Sequence, residues 1–397
     1  MRPLALALSV IRNRTGAVPR PSWCTFLVCY RCNARCQMCD SWRVRPGDEM
    51  TPQQVATVFR KIGRLDVVRL TGGEPFLRTD MLEIAEAVRA ESRPFVIHIT
   101  TNGSFPDRIV DFVRRFSRPR MLRFMVSFDG MSEEHDRNRG EEVTYAIALE
   151  AVRRLTELRD EFGLEVSANH TVISPQSLED NAGLRRELGA IGVEVHSVIA
   201  YADSAMYGAK LRGTRAEHLI VPTGYPLHPA LAGADVVGFV EDELRRVREF
   251  RDPLLRKGKR YYLRGLRDRL VRQAAANANG NGHADSGVPV TLTAGDKPVP
   301  AANGNGTHAP GPQRDRDLFQ PPCVALRSHI RLLPDGSVPI CQFNTERVGN
   351  LLHQSFDEIW YGQAVRPHRA WVDACPGCWA ECEVMPSALY TADILRG

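Results

Sequence analysis

Between Trp23 and Tyr201 six short apolar runs alternate with five amphipathic stretches, and this alternation constrains the fold more than any other feature of the chain. The runs, 24–30, 66–71, 95–101, 122–128, 164–173 and 194–200, are rich in Val, Ile, Leu and Phe, as buried parallel strands must be. The stretches between them, 51–64, 80–92, 106–116, 145–162 and 177–190, carry helical periodicity. Thr51 before Pro52 reads as an N-cap followed by proline in the first turn, and Thr79-Asp80 opens the second helix similarly. Parallel strands need right-handed crossovers. The pattern therefore predicts an α/β fold, a partial (β/α)6 TIM-like barrel, because six strands fall short of a closed eight-stranded one.

Composition shifts divide the 397 residues into an N-terminal segment 1–21, a barrel core 22–202, a helical insert or connector 203–272, a linker 273–319 and a cysteine-bearing domain 320–397. In the insert, 240–250 reads as a charged helix that Pro253 ends or kinks. The linker is dense in Ala, Asn, Gly and Pro, with low-complexity runs at 277–282 and 303–306, and is expected to be disordered. Residues 331–340 read as a β-hairpin turning at Asp335-Gly336. The apolar run at 3–11 is followed by Arg12 and Arg14 where a signal peptide would carry small residues, so it is expected to form a peripheral amphipathic helix. No apolar run is long enough to span a bilayer, and the net charge of +5 gives no argument for nucleic acid or an anionic membrane. A cytoplasmic protein is expected.

Ten cysteines fall in two groups, at 24–39 and 323–382. Clustered cysteines in a long chain fit metal ligation in a reducing compartment better than disulfides. Cys32, Cys36 and Cys39 share one loop after the first strand, on the face where β/α barrels place their sites. Three thiolates are one short of the four that hold a [4Fe–4S] cluster, which leaves one iron open to another ligand. A structural zinc site would need a fourth ligand, Asp40 or Cys29. Cys24 and Cys29 read as buried strand cysteines. In the second group, the spacing of Cys323, Cys341, Cys375, Cys378 and Cys382 allows either a zinc site or a cubane.

Other strand ends carry polar residues. Gly72-Gly73-Glu74-Pro75 closes the second strand; the glycines admit a close ligand and Glu74 offers a carboxylate to a cation. Asn102 closes the third strand, and Ser127 and Asp129 the fourth. Their side chains can meet a ligand on that face, or else serve turns and helix caps. His98 and His196 read as core histidines, and one of Asn169 and His170 faces the barrel interior.

The run Cys32-Asn33-Ala34-Arg35-Cys36-Gln37-Met38-Cys39, followed by Gly72-Gly73-Glu74-Pro75, resembles the radical S-adenosylmethionine (SAM) superfamily. Met38 departs from the aromatic residue usual in that family before the third cysteine. The Cys323…Gly336…Cys341 spacing resembles the family's C-terminal SPASM domain, or its shortened Twitch form. The resemblance implies that Cys32, Cys36 and Cys39 hold a [4Fe–4S] cluster and that Gly72, Gly73, Glu74, Pro75, Asn102, Ser127 and Asp129 surround SAM, with Glu74 orienting it. It implies an auxiliary [4Fe–4S] cluster on Cys323, Cys341, Cys375 and Cys378, with Cys382 a substitute or bystander. The implied activity is one-electron cleavage of SAM to a 5′-deoxyadenosyl radical that takes hydrogen from a peptide side chain or a small sugar-like metabolite. A flavodoxin or ferredoxin would supply electrons. The competing reading is a non-catalytic zinc or iron–sulfur protein, but an electron carrier gains nothing from an exposed three-ligand iron.

Overall fold

The structure, a computed structural model, describes residues 3–396 except 46, 214–215, 217–218, 222–223 and 279–319. A first helix, α1 (Pro3–Thr15), precedes β1 (Trp23–Cys29), α2 (Pro52–Ile62), β2 (Val67–Gly72), α3 (Met81–Ser92), β3 (Val96–Thr101), α4 (Pro106–Arg115) and β4 (Leu122–Phe128). There follow α5 (Ser132–Arg139), α6 (Thr144–Phe162), β5 (Glu165–Val172), α7 (Pro175–Ala190) and β6 (Glu194–Ile199). Three helices, α8 (Ala205–Arg212), α9 (Val236–Arg246) and α10 (Pro253–Ala278), fill the next region. The C-terminal part holds β7 (His329–Leu332), β8 (Ser337–Pro339), β9 (Arg347–Asn350), α11 (Phe356–Trp360), α12 (Arg366–Ala374) and α13 (Glu381–Tyr390).

The six expected strands form a parallel sheet in sequential order, as right-handed crossovers require. Thr51 caps α2 in a full capping box with Gln54. Burial alternates along β4: Leu122, Phe124, Val126 and Phe128 face the helices, while Arg123, Met125 and Ser127 face the interior. Register places Arg331, Thr25, Arg69, His98, Arg123 and Glu165 side by side in one row across the sheet. Ser127, Asn169 and His196 form a row nearer the C-terminal ends.

Several expectations change. The sheet has seven strands, because β7 pairs in parallel with β1. The turn at Asp335-Gly336 forms, with Gly336 at φ +79°, but the expected hairpin ladder does not, because β8 pairs with β9 instead. Pro253 opens α10 rather than kinking the preceding helix; its missing N–H costs nothing at a helix start. α10 runs to Ala278, so 273–278 is helix rather than linker; the rest of the expected linker lies outside the described residues. The N-terminal helix is docked: Asn13 donates to Ser328 Oγ and the Tyr390 carbonyl, and Arg14 to the Thr391 carbonyl and Asp393.

The helical insert packs against the β6 side. His196 stacks on Phe250, with ring centroids 4.8 Å apart. A second apolar core joins Val172 and Ile199 of the barrel to Val240, Tyr261, Tyr262 and Leu266 of α9–α10 and to Trp379 and Val384 near α13. The insert thus links the two ends of the sheet, and barrel and cysteine-bearing domain share buried surface.

Candidate active site at the strand ends

The three-cysteine loop leaves β1 and is fastened at both sides. Gly73 N–H donates to the Cys29 carbonyl at 2.9 Å, and Glu74 N–H to the Arg31 carbonyl at 2.8 Å. On the other side Arg35 N–H donates to the Arg139 carbonyl at 2.8 Å and Gln37 N–H to that of Asn138 at 3.1 Å. A Cβ on Gly72 would lie 2.3 Å from the Cys29 carbonyl oxygen, and one on Gly73 1.9 Å from that of Arg31. The two glycines are therefore demanded by the approach of the cysteine loop itself. Gly73→Ala is expected to displace the loop and cut its iron content at least severalfold, as iron analysis of reconstituted protein would show; wild-type iron in the variant would contradict this geometry.

Within the loop Cys36 is buried, and Cys32 and Cys39 are half-buried. Burial pushes the Cys32 and Cys39 thiols up to about 12, and that of Cys36 up as well. Thiols so placed ionise only when a cation takes the proton's place. Cys29 does not join them: its buried Sγ donates to the Glu74 carbonyl at 3.4 Å. Cys24 is fully buried in the strand.

Glu74 is 0% exposed. One oxygen accepts from Phe76 N–H and Thr101 Oγ1 at 3.0 and 2.8 Å, the other from Asn102 N–H at 2.7 Å. The carboxylate that the sequence offers to a ligand is thus turned onto the ends of β2 and β3. Pro75 is buried and begins the short turn that Glu74 caps. Asn102 is also committed: its Nδ2 donates to Asn33 Oδ1 at 2.9 Å and lies 3.9 Å from Cys32 Sγ, while its Oδ1 accepts from Ser104 N–H. Asp129 is wholly buried, accepting from Arg139 Nε at 2.5 Å and Asn138 Nδ2 at 2.7 Å. The Arg139 guanidinium holds the Asp129 carboxyl below its ordinary range despite burial. Glu74, Asn102 and Asp129 thus each anchor a turn or loop at the strand ends. Ser127 does face the interior, half-buried.

Of the other strand residues, Asn169 faces inward and donates to Thr171 Oγ1, while His170 faces outward against Asn181. His98 is pushed down to about 3 by burial and by Arg69 and Arg123, so it is neutral. Among the described residues Arg69 reaches only Thr100 Oγ1, at 3.3 Å, and its buried Nε has no partner.

At the other end, Cys323, Cys341, Cys375 and Cys378 line one small cavity together with Phe343, Trp371 and Val372. Burial pushes the Cys341 and Cys378 thiols up, and the nearby Glu383 and Cys323 add to it. Cys382 is not among the lining residues; its Sγ donates to Gln342 Oε1 at 3.1 Å. Beside it Glu383 joins Arg331 and, at 3.3 Å, His329, whose other ring nitrogen meets Thr25 Oγ1 at 3.0 Å. That network, which ties the cavity wall to β7 and β1, had no periodic signal in the sequence. Among the described residues no three His, Cys, Asp or Glu are grouped to hold a single metal ion.

With this geometry, a model of the radical SAM superfamily matches residues 26–188, and a model of the SPASM iron–sulfur cluster-binding domain matches 323–382. Residues 26–188 are thus a domain of the radical SAM superfamily, a class of enzymes whose cofactors are SAM and [4Fe–4S] clusters. The chain's C-terminal part is of the SPASM type. Similar curated proteins include GTP 3′,8-cyclase of Aquifex aeolicus, 28% identical over 185 residues, covering 44% of this chain and 54% of that protein. Pre-heme d1 synthase of Dinoroseobacter shibae is 33% identical over 133 residues, covering 31% of this chain and 30% of that one. The chain spans about half the length of the first of these and less than a third of the second. Among solved structures, native anSMEcpe with bound AdoMet and Cp18Cys peptide superposes with a TM-score of 0.52 at 14% identity, covering 95% of both chains. SuiB of Streptococcus suis bound to S-adenosylmethionine gives 0.51 at 13%, covering 89% of this chain and 68% of that one. At these identities the structures establish the shared fold.

Proposed function

We propose that this protein cleaves SAM reductively at a [4Fe–4S] cluster held by Cys32, Cys36 and Cys39. The observation that carries this reading is a three-thiol loop bound by backbone hydrogen bonds to the ends of β1 and β2 and to α5, with Cys29 diverted to the Glu74 carbonyl. Three buried or half-buried thiols without a fourth suit a cluster with one open iron. Held there, such a cluster would supply the one electron that splits the SAM sulfonium into methionine and a 5′-deoxyadenosyl radical able to take hydrogen from substrate. Glu74 serves by fixing backbone, so recognition of the SAM ammonium falls to the main chain of the Gly72–Pro75 segment. Ser127 remains free to meet the nucleoside. Residues 22–202 form the SAM-binding barrel and 320–397 the auxiliary domain.

Cys323, Cys341, Cys375 and Cys378 hold the auxiliary cluster, and Cys382 is a bystander. This is supported by the four thiols sharing one cavity while Cys382 bonds Gln342. Cys378→Ser is expected to lose about four irons per chain and Cys382→Ser none; equal losses would make Cys382 a ligand. Full ligation by four thiolates suits this cluster to electron transfer. A flavodoxin or ferredoxin supplies the electrons, and the thiol chemistry calls for a reducing compartment. Among the described residues no helix is long and apolar enough to cross a membrane.

Two substrate classes are in view, peptides and small metabolites. Arg69, inside the barrel with a buried Nε that lacks a partner, favours a small substrate with an anionic group. The test is anaerobic reconstitution with iron and sulfide, reduction by dithionite with SAM, and assay of 5′-deoxyadenosine. Its formation supports the reading; zinc in place of iron with no SAM cleavage overturns it.

A further inference from the structure

The helical insert carries an uneven charge. Residues 236–278, α9 through α10, hold twelve Lys and Arg against six Asp and Glu, a surplus of six where the whole chain's surplus is five. The rest of the molecule is therefore close to neutral, and the positive field is concentrated on these two helices. Some of these cations are committed elsewhere. Lys259 is buried against Glu381 at 2.6 Å, and Arg269 is buried over the Trp379 ring at 3.8 Å. Arg245 and Arg267 pair with Asp242 and Asp268 on their own helices. Arg260 and Arg264 have no ion pair and no hydrogen bond among the described residues. With Arg267 they stand at i, i+4 and i+7, on one face of α10. That face and α9 flank an open groove lined by Glu241, Leu244, Arg245, Arg260, Arg264 and Arg267.

The opposite face of α10 leans on the second cysteine group. Gly265 lets Trp379 in: a Cβ there would lie 2.0 Å from the indole. Trp379 Nε1 donates to the Tyr262 carbonyl at 2.8 Å, and the two rings stack with centroids 6.3 Å apart. Arg269 donates to Gln320 Oε1 at 3.0 Å, and Gln320 Nε2 donates to the Pro376 carbonyl at 2.7 Å, inside the Cys375–Cys378 loop. A single helix, ~10–12 Å across with its side chains, thus separates the arginine groove from the cysteine loop, and its inner side is filled by aromatic rings.

We propose that the α9–α10 groove docks an acidic one-electron carrier protein of the flavodoxin or ferredoxin class, which exchanges electrons with the auxiliary site beneath it. The inference rests on the reading of Cys323, Cys341, Cys375 and Cys378 as holders of an iron–sulfur cluster. In each encounter the reduced carrier loses one electron and the cluster gains one; no atom is transferred. Charge complementarity steers the encounter and makes it depend on salt. Among the described residues the two arginines stabilise no neighbour, and they repel each other along the helix.

The test uses the full chain, reconstituted anaerobically, with an acidic flavodoxin as probe. Arg260→Glu/Arg264→Glu is compared with wild type and with Arg260→Lys/Arg264→Lys. The charge-reversed variant is expected to bind flavodoxin about tenfold more weakly at low salt, and to slow oxidation of flavodoxin hydroquinone about as much. The lysine variant should behave like wild type, high salt should erase the difference, and iron content and reduction by dithionite should be unchanged. Full iron loading with flavodoxin binding and kinetics indifferent to charge reversal overturns the docking surface alone. A wild-type chain that takes up only about four irons overturns the auxiliary cluster and this inference with it. Loss of RNA or anionic-vesicle binding in the variant, with flavodoxin kinetics intact, also overturns it.

Discussion

The Cys32→Ala/Cys36→Ala/Cys39→Ala variant is expected to form no 5′-deoxyadenosine and to carry roughly four irons per chain where the wild type carries about eight. The expectation follows from where the loop lies. Its backbone is held by β2 on one side and by the C-terminal end of α5 on the other, so removing the thiols removes ligands without removing the loop's anchors. The fold should therefore persist, and the second group of cysteines, in its own cavity under α10, should still load. Iron and sulfide analysis with a deoxyadenosine assay reads both halves of the claim. Loss of all iron would mean that the two sites do not assemble independently. Retention of all of it would remove the loop from the cluster site.

Asp129→Ala should be the most damaging single substitution outside the cysteines. Asp129 and Arg139 are both almost fully buried and bonded to each other, and Arg139 faces Cys32 and Cys36. Removing the carboxylate leaves an uncompensated buried guanidinium, which costs on the order of 3–5 kcal/mol. It also frees the end of α5, whose carbonyls hold Arg35 and Gln37 of the loop. Anaerobic urea unfolding should show a lower midpoint, and the loop cluster should load poorly. Asp129→Ala/Arg139→Met should recover part of the lost stability, since an apolar pair carries no stranded charge. A double variant as unstable as the single one would place the cost elsewhere. Because the folded-state pKa of Asp129 is depressed, its contribution is present above the unfolded value of about 3.9 and is lost as the pH falls through the lower folded value. The pair should thus hold at neutral pH and fail only in strong acid.

The barrel was legible because its signals are local and periodic. The apolar runs at 66–71 and 122–128 became β2 and β4 within a residue at either end. Thr51-Pro52 became a capped helix start. The cysteine spacing likewise marked both clusters of thiols. α5 was missed because Ser132–Arg139 has no apolar stripe; the side chains it buries are Glu134, His135, Asn138 and Arg139. A helix that buries polar groups against an ion pair gives periodicity nothing to detect. The seventh strand was missed for another reason. His329–Leu332 reads as half of a hairpin with its neighbour, and only the exposed edge of β1, far away in sequence, draws it into the parallel sheet. The hydrogen bonds of Glu74 were not legible for a third reason: its three donors come from residues 76, 101 and 102, brought together only by the packing of β2 on β3.

The central claim is an iron in the Cys32–Cys39 loop that no protein side chain holds. The most direct measurement is the electron paramagnetic resonance spectrum of a reduced Cys375→Ser/Cys378→Ser variant, which leaves that cluster alone, recorded with and without SAM. Binding of SAM at an open iron should change the signal of a [4Fe–4S]⁺ cluster. A signal unaltered by saturating SAM, or a protein that takes up no iron at all, would contradict the account.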